Sequence, residues 1–106
     1  GGGCRIFRRR GGCHAPAAAA NADALAGRGL CYLDLSQYRP AEASFEEALR
    51  EAPAHPDALM GLAETYRYEG RRADAVTYYQ RYLAAHPNGR DAAAARSAID
   101  ALQGVN

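Results

Sequence analysis

Shifted along itself by 34 residues, this chain of 106 falls on its own pattern. Leu25 lands on Leu59, Gly29 on Ala63, Tyr32 on Tyr66, Ala41 on Ala75, Phe45 on Tyr79, Leu49 on Leu83 and Pro53 on Pro87, all at one ungapped offset. A fixed period of this length constrains the fold more than any composition. Each unit must be a supersecondary element that cannot bury its apolar face alone, so neighbouring units stack to complete one core.

The spacing inside each unit is helical. Leu59, Leu62, Ala63 and Tyr66 fall at i, i+3, i+4 and i+7, one stripe of a helix. Gly70 is placed to take the left-handed conformation that ends it. A second stripe of Ala75, Tyr78, Tyr79, Tyr82 and Leu83 follows, closed by His86-Pro87. The first unit predicts a helix over about 21–35, a turn at Ser36-Gln37, and a helix over about 38–52 before Pro53. Pro40 and Pro56 are tolerable in first helical turns, where their missing N–H has no intrahelical partner. Residues 90–103 predict a fifth helix, capped by Asn88 or Asp91 and ended by Gly104, with Asp100 where Tyr66 stood one unit earlier. Alanine, the best helix former, supplies 25 residues, which favours an all-α chain.

The set Leu59, Leu62-Ala63, Tyr66, Gly70, Ala75, Tyr79, Leu83, Pro87 resembles the tetratricopeptide repeat, a helix–turn–helix unit. The first unit matches it with Leu25, Gly29, Tyr32, Ala41, Phe45, Ala48, Leu49 and Pro53. The resemblance covers residues 22–89 and implies an α-solenoid of two repeats plus a C-terminal capping helix. The expected organisation is a basic head at 1–20, repeats at 21–55 and 56–89, and the cap at 90–106. Small residues at Gly29/Ala63 and Ala41/Ala75 are expected to let helices approach closely. Arg28, standing where the second unit has Leu62, is expected on a wet face at the end of the stack. Tyr82 replaces the small Ala48, so a neighbour must fill the space around it. Two repeats are fewer than the three or more such arrays usually need, which makes the piece marginal or part of a longer array.

Chemistry is sparse. His14, His55 and His86 are scattered over the head and two loops, so they read as structural or solvated rather than as general bases. Glu42, Glu46, Glu47 and Glu51 with Arg50 read as a solvated helix face. The spacing Cys-x8-Cys-His at Cys4, Cys13 and His14 is no recognised zinc pattern, and Cys31 reads as a small apolar residue. No catalytic residue, metal or cofactor is expected. The chain has no apolar run near the roughly 20 residues that cross a bilayer, so no membrane span is expected. Near-balanced charge gives no argument for nucleic acid.

Binding is the positive expectation. The family lines its concave surface with the first helix of each repeat, which here implies Ala26, Gly27, Leu30 and Asp34, then Met60, Gly61, Glu64, Arg67 and Tyr68. Some members hold a partner's C-terminal carboxylate through lysine and asparagine. Here those positions are Ala26, Leu30 and Gly61, so that clamp is absent. Leu30, Met60 and Tyr68 are left as anchors for a peptide or partner helix, with Asp34, Glu64 and Arg67 setting register. The other reading of Leu30 and Met60 is simple packing within the fold. The alternative function is assembly or self-association within a larger complex. Residues 82–102 resemble closing segments of bacterial repeat proteins, cell-envelope ones included, and arginine without lysine fits a GC-rich bacterial genome.

The head carries four arginines and no acid in residues 1–20, against nine arginines and twelve carboxylates beyond. It reads as no intact signal peptide, and as a processed, truncated or engineered end. Cys4 and Cys13 could close a short cationic loop by a disulfide; the alternative is a solvated tail with free thiols.

Overall fold

The computed structural model describes residues 17–104. The expectations for Cys4, Cys13 and His14 lie outside those residues. Five helices follow one another, α1 (Ala17–Asp34), α2 (Tyr38–Glu51), α3 (Pro56–Tyr68), α4 (Arg72–Ala85) and α5 (Ala92–Gln103). No strand occurs among the described residues. α1 pairs with α2 and α3 with α4, α2 bridges to α3, α1 also touches α3, and α5 lies on α4. This is the expected helix-pair stack. Within the described residues the first helix already runs from Ala17, four residues before the expected start, through the alanine run Ala17–Ala20.

Both helix pairs turn by the same device. The Gln37 N–H donates to Tyr32 O and the Arg71 N–H to Tyr66 O, each at 2.8 Å and 34 residues apart. The pattern requires a left-handed residue one position before the donor. Gly70 supplies it at φ 82°, whereas Ser36 is forced to φ 60° in the first repeat. Pro56 opens α3, and His55 stands at its N-cap.

One aromatic ring joins the repeats. Phe45 of α2 is fully buried, and its ring fills the space above Gly29 of α1 and Gly61 of α3. A Cβ on Gly29 would lie 2.6 Å from the ring, closer than real atoms pack. The backbones of two helices therefore come within reach of one ring, and both glycines serve packing rather than flexibility. Around it Leu59, Leu62, Ala63, Tyr66, Ala75 and Tyr79 complete a continuous core. The space expected around Tyr82 is filled by the loop before α5. Its hydroxyl accepts the Asp91 N–H at 3.0 Å, its ring tilts against His86, and Gly89 lies close beside the hydroxyl.

The two ends of the stack differ. Arg28 is exposed on α1, as expected. α5 buries Ala92 and Ala95, one period beyond Ala58 and Gly61, so its inner face keeps the repeat register. Its outer face does not. Where α3 has Leu59, Leu62, Ala63 and Tyr66, α5 has Ala93, Arg96, Ser97 and Asp100, all exposed. A polar outer face of this kind caps the last apolar layer. Gly104 ends the helix at φ 71°, as expected, while Asp91 at the N-cap makes no side-chain cap bond.

Candidate functional site

The helices place the expected recognition residues at different depths. Leu30 and Asp34 are exposed on α1, as are Arg67 and Tyr68 on α3, and Glu64 is half-buried. Met60, only 8% exposed, belongs to the core. Ala26, Gly27 and Gly61 are buried too, and Gly61 lies beneath Phe45 instead of facing solvent. The accessible part of the set is therefore Leu30, Asp34, Glu64, Arg67 and Tyr68. None of its charged members has an ion-pair partner among the described residues.

Tyr68 is 58% exposed, yet its orientation is fixed. Its ring stacks on Tyr38 at the start of α2, with centroids 5.8 Å apart and planes within 9°. The Arg67 guanidinium lies 5.4 Å from the same ring. An aromatic held this way loses little freedom when it meets a partner, which is the property that makes tyrosine a good anchor. Burial raises the Glu64 carboxyl above the ordinary range despite the Arg67 guanidinium, and the Asp91 charge adds to the rise. The Tyr79 phenol, close to Arg67, Glu64 and Tyr68, is pushed up by burial to about 12. A shallow depression of about 380 Å³, lined by Asp57, Tyr82, His86, Arg90 and Asp91, lies at the N-terminal ends of α3 and α5.

Sequence reasoning missed the recurrence of an aspartate at one position of successive units, Asp23, Asp57 and Asp91, which the same 34-residue offset reveals. Of these three carboxylates, only that of Asp23 accepts a hydrogen bond among the described residues. His55 Nδ1 accepts the Ala58 N–H at 3.2 Å, which leaves the proton on Nε2 to donate to Asp23 Oδ1 at 2.6 Å. His86 donates through Nε2 to Ala54 O at 2.6 Å. Both loop histidines thus tie one repeat to the next. No group of three potential metal ligands occurs among the described residues, and no helix there is long and apolar enough to cross a membrane.

The glutamate face departs from expectation. Glu46, Glu47 and Glu51 are exposed, and Arg50 pairs weakly with Glu47 at 3.9 Å. Glu42 is instead turned inward against the α3–α4 turn, where it accepts a bond from Arg71 at 3.2 Å. The helical period identifies Glu42 as a face residue; only the packing of α2 on the next repeat shows what covers it.

A family model described as tetratricopeptide repeat matches residues 27–90, more than half of the chain. No curated protein matches it.

Proposed function

The chain belongs to the tetratricopeptide repeat family, and from that premise we propose that it is a non-catalytic adaptor receiving a peptide or partner helix on the concave face of α1 and α3. Repeats of this family mediate protein–protein interaction. The observation that carries the reading is Tyr68, an exposed aromatic fixed by its stack on Tyr38 and flanked by Arg67. Leu30 on α1 adds a second apolar contact, and Asp34, Glu64 and Arg67 supply charges that set register. Met60 is buried in the core, so Met60→Ala reports on folding more than on contact.

The two loop histidines are engaged in inter-repeat bonds, which supports a structural use for them. An assembly role draws support from Leu35, 51% exposed in the turn that follows α1. The experiment is partner binding by the full chain and by its Tyr68→Ala and Leu30→Ala variants, with Glu47→Ala as control. Loss at Tyr68 and Leu30 of about 1–4 kcal/mol, with none at Glu47, is the expected result. Unchanged binding in all three places the partner elsewhere. A concentration-dependent dimer abolished by Leu35→Ser would favour assembly instead.

A further inference from the structure

Where the first repeat meets the α3–α4 turn of the second, three carboxylates gather around one cation. Arg71 contacts Asp74 at 2.9 Å, Glu42 at 3.2 Å and Glu69 at 3.8 Å, and its guanidinium lies 4.3 Å from the Tyr66 ring centroid. Glu46 is satisfied separately by the Tyr66 hydroxyl at 3.3 Å. Glu42 and Glu69 face one another, and both side chains are only 15% exposed. Glu69 Oε1 is buried with no hydrogen-bond partner. One guanidinium whose best contact is Asp74 leaves this pair short of positive charge. A proton supplies what is missing, because a protonated carboxyl can donate to the orphaned oxygen while an ionised one can only repel it.

We propose that Glu42 and Glu69 form a proton-operated clamp between the two repeats, closed when the pair holds one proton and loosened when both groups ionise. The pair joins α2 of the first repeat to the C-terminal end of α3 in the second, so it acts on the junction and not within one helix pair. Every charged or titratable group facing it is accounted for. Glu46 and Tyr66 carry their own bond, Asp74 holds Arg71 from α4, and Arg71 alone favours ionisation, against burial, Glu69 and Glu46. The same junction carries the Tyr38–Tyr68 stack. Loosening it moves the exposed aromatic relative to α1, a consequence that rests on the proposed concave site.

Burial, and then the neighbouring Glu69, push the Glu42 carboxyl from 4.5 to about 7. The folded state therefore holds its proton where the unfolded chain has lost it. That stabilisation is complete below pH 4.5 and disappears as pH rises through about 7.

The test follows thermal unfolding of the full chain by circular dichroism between pH 5 and pH 8, alongside a carbon-13 titration of its glutamate carboxyls. Wild type is expected to lose about 5–10 °C in Tm across that range, with a Glu42 midpoint near neutrality. Glu42→Gln keeps a donor to Glu69 at every pH, so its Tm should be nearly flat. His55→Asn should keep the wild-type slope, which separates the clamp from the histidine contact to Asp23. If Glu42→Gln does not fold, Glu69→Gln serves, since its amide can donate to ionised Glu42. A wild-type slope in the glutamine variant, or Glu42 and Glu69 both titrating at ordinary carboxylate values, overturns the proposal. None of these readouts needs a partner, so the result is independent of the binding site.

Discussion

Gly61→Ala sets two known effects against each other. In a helix interior, alanine is favoured over glycine by about 1 kcal/mol. The added methyl would, however, lie 2.9 Å from Cε2 of Phe45 and nearer still to Cζ and Cε1. That ring is fully buried and Gly29 of α1 is packed against it as closely, so it has little room to shift. Overpacking of this kind costs about 1–3 kcal/mol. Three ring atoms are involved, and the upper part of the range applies. The net expectation is a loss of about 1–2 kcal/mol, or roughly 4–16 °C in Tm for a domain of this size. Phe45→Leu alone loses packing, by about 1–2 kcal/mol. In the double variant the smaller side chain makes room for the methyl, so the two losses should not add. Urea unfolding of wild type, both single variants and the double variant gives the interaction energy directly, provided the m-values agree. A favourable coupling of about 1 kcal/mol or more is expected. Additive losses, or a Gly61→Ala variant as stable as wild type, would refute the idea that one ring joins the two repeats through glycine.

Ala41→Leu or Ala75→Leu should each destabilise by about 1–3 kcal/mol in the same assay, since both sites are fully buried between close helices. Ser36→Gly should stabilise by about 0.5–1 kcal/mol, because φ 60° at the first turn is strained for serine and free for glycine. His55→Ala should cost about 1–2 kcal/mol by calorimetry at neutral pH, as it removes both the cap on Ala58 and the bond to Asp23. An unchanged Tm would mean that neither bond matters.

Much of this fold is visible in the sequence because the repeat carries its information twice. Gly70, Ala75 and Pro87 each have a counterpart one period earlier, so helix boundaries and buried stripes follow from local pattern alone. Even the polar outer face of α5 is foreshadowed by Asp100 at the Tyr66 position. What the pattern withholds is set by contacts between units. Gly61 occupies a position that lines the groove in the family, yet here Phe45 covers it. Met60 shares a helix with exposed Arg67, and its burial depends on how α1 approaches α3. Glu42 looks like its neighbours Glu46 and Glu47 until the turn of the second repeat closes over it. Of the recognition set, Leu30, Asp34, Arg67 and Tyr68 keep the accessibility the resemblance implied. The stack that orients Tyr68 joins residues 30 positions apart and has no sequence signature.

The concave face is the centre of the account, and peptide selection tests it most directly. Peptides selected for binding to the full chain from a random display library would be titrated calorimetrically against wild type, Tyr68→Ala, Leu30→Ala and Glu47→Ala. The account predicts that most selected peptides lose tenfold or more in affinity at Tyr68 or Leu30, about 1.4 kcal/mol, and nothing at Glu47. Peptides that bind tightly but are indifferent to Tyr68 and Leu30, or that depend on Glu47, would contradict it.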